Sequence, residues 1–133
     1  MLHTELKSKI QKLWDKFWSG GISNPLQAIE QISFLIFMKR LEDEDIRKQQ
    51  EATLTGDKHK SLFEKHKDCR WSEWSNYPAE TIIDHVRDKV FPFLRNLDNG
   101  DSFYSKYMRN ANFEIPNASL LIEAVKIIND MHI

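Results

Sequence analysis

The sequence predicts an all-α fold, a compact multi-helix domain with a central buried helix and no sheet of note. Three observations lead there. Apolar residues recur at three- and four-residue intervals over long stretches, helix-start signals stand before two of them, and no alternation of apolar and polar residues marks a strand series. With 41% hydrophobic residues and only four Gly and four Pro in 133 positions, the chain can bury one core and carries few helix breakers.

In the first element Leu6, Ile10, Leu13, Trp14, Phe17 and Trp18 keep helical spacing, and Lys7, Lys9, Lys12, Asp15 and Lys16 fill the other positions. Thr4 is its expected cap. Ser19-Gly20-Gly21 ends it, because glycine reaches left-handed backbone angles cheaply. Asn24-Pro25 opens the second helix: Asn supplies a capping oxygen, and Pro at the first helical position gives up only a donor that would be unpaired anyway. From Leu26 through Ile29, Ile32, Leu35, Ile36 and Leu41, with Phe34, Phe37 and Met38, nearly every side of this helix is apolar, which predicts that it is central and buried. Glu42-Asp43-Glu44-Asp45 then reads as a solvated helix end, and Thr53 to Lys60 as a loop.

Ser61 to Lys67 fits a short helix, and Arg70 to Trp74 an irregular stretch pinned by its two indoles. Pro78 opens a helix with Ile82, Ile83, Val86, Val90 and Phe91 inward, which Pro92 must end or kink. Asn99-Gly100 is a turn, Ser102 to Asn110 another short helix, and Glu114 to Pro116 an extended lead-in. Asn117 caps a last helix reaching Met131. That helix carries two apolar stripes. One is Leu121, Val125 and Ile128; the other, Leu120, Ala124, Ile127 and Met131, is the candidate interface with a following domain or a neighbouring subunit.

Charge limits the function. Nineteen Lys and Arg against 20 Asp and Glu leave a net charge of -1, so no whole-molecule attraction draws the chain to a polyanion, and any such contact must be a local patch. The patch is Lys58, Lys60, Lys65, Lys67 and Arg70, next to Trp71 and Trp74, a mixture suited to phosphate contact and base stacking. An exposed loop anchored by buried tryptophans accounts for the same residues. Cys69 is the single cysteine, so no internal disulfide calls for an oxidising compartment. The longest apolar run, Ile32 to Met38, is far short of the roughly 20 residues a membrane span needs. A cytoplasmic, membrane-free protein is the expectation.

Sites for chemistry are not predicted. Gly20-Gly21 follows a helix, whereas a nucleotide or S-adenosylmethionine loop follows a strand. His59, His66 and Cys69 form one weak group for a metal that usually takes four ligands. His85, between Asp84 and Asp88, reads as a surface ion-pairing residue. The expectation is no catalytic, cofactor or metal site within these residues.

Several pieces together resemble a family. Leu6-Lys7 to Trp14 with Phe17-Trp18, Asn24-Pro25, Ile32 to Leu41, Arg70-Trp71-Ser72, Val86 to Leu94, Phe113-Glu114-Ile115-Pro116 and the Leu120-Leu121 helix resemble, in order, the N-terminal helical domain of type I restriction-modification methyltransferase (modification) subunits. The resemblance implies that residues 1–133 form one non-catalytic domain and that the full-length subunit methylates adenine N6 with S-adenosylmethionine. It implies double-stranded DNA, a specificity subunit, a second modification subunit and a restriction subunit as partners. The glycine-rich cofactor motif and the Asn-Pro-Pro-aromatic motif of that family match nothing in this sequence. A free-standing helical module that docks a partner through its last helix is the alternative. A small hydrolase using His85 or Cys69 is a more remote one.

Overall fold

The computed structural model describes residues 2–22, 24–97 and 108–131. The Asn99-Gly100 turn and most of the helix expected from Ser102 lie outside the described residues. Helix α1 spans Leu2–Ser19, so it begins before Thr4, which sits within the helix rather than capping it. Leu13 and Phe17 face inward at 0% exposure. The helix ends as its glycines predict: Gly20 N–H donates to the Lys16 carbonyl at 2.8 Å, Ile22 N–H to that of Phe17 at 3.1 Å, and Gly21 takes φ 111°.

Helix α2 spans Pro25–Thr55, 31 residues or about 46 Å at 1.5 Å per residue. The Asn24 side chain accepts from Leu26 N–H at 2.9 Å and Gln27 N–H at 3.4 Å. Only the middle of α2 is covered as widely as its composition suggests. Leu26 and Ile29, on its first turns, are exposed, while Gln31, Leu35, Met38, Glu42, Asp45 and Ala52 line a buried stripe. The helix also outlasts its expected end near Thr53. Thr53 and Thr55 hydroxyls donate back to the Gln49 and Glu51 carbonyls, Arg47 pairs with Glu44 and Glu51, and Gly56 supplies the left-handed cap at φ 81°.

After Gly56 the chain turns back along α2. Residues 61–66 form successive turns instead of the short helix expected there, with the Ser61 hydroxyl accepting from Phe63 N–H at 3.1 Å and His66 N–H bonded to the Phe63 carbonyl at 3.0 Å. A single 3-10 turn, Lys67–Cys69, leads into α3, Trp71–Trp74, one helical turn where irregular chain was expected. Both indoles are buried, as the two tryptophans suggested.

Helix α4, Ala79–His85, buries Ile82 and runs into a π-helical turn, Val86–Val90, and then α5, Phe91–Arg95. Pro92 therefore neither ends nor sharply breaks this rod. The wide turn before it, in which Phe91 N–H bonds to the Val86 carbonyl five residues back, is how the helix accommodates a ring that would otherwise crowd the preceding turn.

The last helix, α6, Ala118–Asn129, buries Leu120, Leu121, Ala124, Val125, Ile127 and Ile128. Asn117 caps it, accepting from Leu120 N–H at 2.9 Å. Helices α1, α2 and α4 all pack against it. Gly20 meets its first turn so closely that a Cβ there would lie 2.9 Å from a Leu120 methyl. Gln31, 1% exposed, joins α2 to the extended lead-in: its amide donates to the Asn112 carbonyl at 2.9 Å and accepts from Glu114 N–H at 3.0 Å. The Trp71 indole N–H reaches Asn129 at 2.7 Å. Among the described residues there is no strand, and no helix is long and apolar enough to cross a membrane.

Candidate nucleic-acid interface

The basic segment is hung on two buried carboxylates that the run of four acids would place in solvent. Counting along α2, Leu35, Met38, Glu42 and Asp45 follow three- and four-residue steps, so one helix face passes from apolar to acidic without leaving the interior. Glu42 and Asp45 are 4% and 3% exposed. Burial of a carboxylate requires compensating donors, and the segment from 59 to 72 supplies them.

Asp45 Oδ1 accepts from His59 Nε2 at 2.9 Å and from Leu62 N–H at 3.2 Å. Its Oδ2 accepts from the Ser61 hydroxyl at 2.7 Å and Arg70 Nη2 at 3.2 Å. Glu42 takes Arg70 Nη1 at 3.4 Å, Ser72 N–H at 3.3 Å and the Ser72 hydroxyl at 2.9 Å, thereby serving the open N-terminal end of α3 from a different helix. Burial pushes the Asp45 carboxyl up, but hydrogen bonds from Ser61, His59 and Leu62 and the charge of Arg70 outweigh it and hold the group below the ordinary aspartate range.

Arg70 is thus bonded to both buried carboxylates, with its own side chain half-buried. Its guanidinium spans both carboxylates and lies 5.0 Å over the Phe63 ring. It holds the segment to α2, a role that its place among the phosphate-contact candidates did not foresee. Lys58, Lys60, Lys65 and Lys67 are all exposed, and none makes an ion pair among the described residues. They occur as two Lys-His-Lys triplets. The central His59 turns in to Asp45, and His66 lies against Phe93 with ring centroids 4.9 Å apart. An open cleft of about 380 Å³, lined by His59, Ser61, Phe63, Lys67 and Arg70 together with Glu64 and Glu73, lies along the segment. Trp71 and Trp74 stand in the core and offer no face for base stacking.

The remaining chemistry-bearing residues have structural partners. Cys69 is buried, its thiol facing the Lys89 carbonyl at 3.7 Å, and burial, with Asp68 beside it, pushes its pKa up to about 12. A thiol so placed is a poor nucleophile. His85 donates from Nε2 to the Asp68 carbonyl at 2.6 Å and packs on Tyr77, while Asp84 and Asp88 pair with Arg87 instead. Among the described residues no group of three metal-ligating side chains comes together.

The interface stripe of the last helix also finds its cover within the chain. Leu120, Ala124, Ile127 and Met131 are all buried, because α6 has neighbours on both of its apolar faces. Exposed apolar surface occurs elsewhere: Ile10, Trp18 at 51%, Leu26 at 76% and Ile29 on α1 and the first turns of α2, and Ile46 and Leu54 at 87% further along α2. Trp14 and Trp18 stack with centroids 6.1 Å apart. Neither Leu26 nor Ile29 is distinguishable by spacing from its buried neighbours.

The family described as HsdM N-terminal domain matches residues 6–128, nearly the whole chain. No curated protein and no solved structure matches it.

Proposed function

The chain belongs to the HsdM N-terminal domain family, the N-terminal region of the type I restriction-modification modification subunit, and from that premise we propose that it is the DNA-proximal and assembly domain of an adenine-N6 DNA methyltransferase complex. On this reading S-adenosylmethionine chemistry belongs to the rest of the subunit, and these residues bind DNA and neighbouring subunits. The partners are duplex DNA, a specificity subunit, a second modification subunit and a restriction subunit, in the cytoplasm.

One observation carries the DNA-facing part: four exposed lysines without ion-pair partners among the described residues are held on a pinned segment of a chain whose overall charge is -1. A polyanion gains nothing from the molecule as a whole and must be met by such a patch. Charge reversal tests it. Lys58→Glu with Lys60→Glu should weaken binding to a short mixed-sequence duplex at every sequence alike, and flatten the dependence of log affinity on log salt by about one unit for each phosphate no longer neutralised. An unchanged slope would reduce the segment to a solvated loop.

The assembly part is supported by the apolar side chains left open on α1 and α2. Large apolar side chains left exposed are what a subunit interface uses.

A further inference from the structure

We propose that Asp45 is a positioning residue for polyanion binding: by gathering four donors of the basic segment onto one buried carboxylate, it sets the placement in which Lys58, Lys60, Lys65 and Lys67 meet successive phosphates. The inference rests on the nucleic-acid reading above and adds an element that charge counting would assign the opposite role.

The geometry makes the case. Between Gly56 and Arg70 the segment has no regular helix beyond the 3-10 turn at Lys67–Cys69, and few side chains anchor it to the core, chiefly Phe63 and Cys69. Its path is fixed by polar bonds, and these converge. His59, Ser61, Leu62 and Arg70 all donate to Asp45, two on each oxygen. Ser61 in turn accepts from Phe63 N–H at 3.1 Å and Arg70 Nη2 at 3.1 Å, so one hydroxyl links both ends of the segment to the carboxylate. The lysines flank the docked residues: Lys58 and Lys60 border His59, and Lys60 also precedes Ser61. With His59 turned inward, its neighbours are directed to solvent. A hydrophobic residue at 45 would continue the stripe of Leu35 and Met38 and avoid burying a charge, yet it would bind none of these donors. Phosphate binding depends on placement as well as sign, because a lysine free to wander must be ordered again on binding.

The sign of the effect is diagnostic. Asp45→Asn removes a negative charge near the lysines, so a charge-only account predicts tighter DNA binding. Positioning predicts weaker binding, by about tenfold, with a salt slope shallower by about one unit. Glu64→Gln removes the same charge from an exposed position in the segment and should leave affinity equal or raised. Ser61→Ala changes no charge and should weaken binding in the same direction as Asp45→Asn. It decides the matter if Asp45→Asn fails to fold. The experiment titrates the full chain and its variants with a short mixed-sequence DNA duplex at several salt concentrations, with helical content followed by circular dichroism. Weaker binding and a shallower slope for folded Asp45→Asn, or for Ser61→Ala, support the inference. Equal or tighter binding by the folded variants overturns it. A separate outcome, Lys58→Glu with Lys60→Glu binding as the unaltered chain does, defeats the nucleic-acid reading itself.

Discussion

Asp45 is buried with four neighbours donating to it, so its removal strands the Arg70 charge and three further donors. Asp45→Ala leaves Arg70 with Glu42 as its one remaining carboxylate, beside the Ser61 hydroxyl, and frees the His59, Ser61 and Leu62 donors. Breaking a buried pair from one side costs about 3–5 kcal/mol, and urea unfolding of the variant should show a decrease of that order. The pH dependence has a definite sign. The folded carboxyl sits below its unfolded value, so its contribution is complete above the ordinary aspartate value of about 3.9 and fades as pH falls through the depressed folded value. The stability gap between the unaltered chain and Asp45→Asn should be constant near neutrality and close below that range. Cys69 offers a simpler check, since a buried thiol with a pKa about 12 should resist a thiol reagent in the folded chain and react on unfolding. At this scale the sequence is hardest to read. Four consecutive acids look solvated as a run, and only the continuation of the Leu35–Met38 face separates Glu42 and Asp45 from Asp43 and Glu44.

The elements are more legible where their ends carry local chemistry. Asn24-Pro25, Gly20-Gly21 and Asn117 act where their side-chain oxygens and backbone freedom place them, since such signals need no tertiary partner. Signals that depend on packing mislead. Leu26 and Ile29 continue an apolar pattern but end exposed, and the second stripe of α6 is covered by this chain's own helices. Periodicity reports how much apolar surface a helix carries, not which neighbour covers it. Leu120→Lys with Ile127→Lys places two unpaired charges in the core, and the cooperative circular dichroism melt should disappear. Gly20→Ala forces a methyl against Leu120 and the Lys16 carbonyl, costing about 1–3 kcal/mol by thermal melting. By contrast Trp18→Ala and Leu26→Lys should leave the fold intact, because both side chains are exposed, and each should weaken co-purification with the other modification and specificity subunits if its surface meets them.

Across the whole molecule, near-neutral charge and a local cationic segment are compatible because the interior absorbs the segment's one arginine and α2 supplies its counter-charges. What remains outside is four lysines on a backbone pinned from beneath. Composition could rule out a strongly basic chain and could find the cluster, but it could not tell an anchoring cation from an exposed one, because Arg70 and the lysines carry the same charge. The most direct test of the central claim is photocrosslinking from this surface in the assembled modification enzyme bound to duplex DNA. Crosslinkers at positions 60 and 65, compared with one at the exposed Lys126 of α6, should capture DNA, with a yield that falls as salt is raised. Capture from position 126 alone, or from none of the three while the enzyme remains bound, would contradict it.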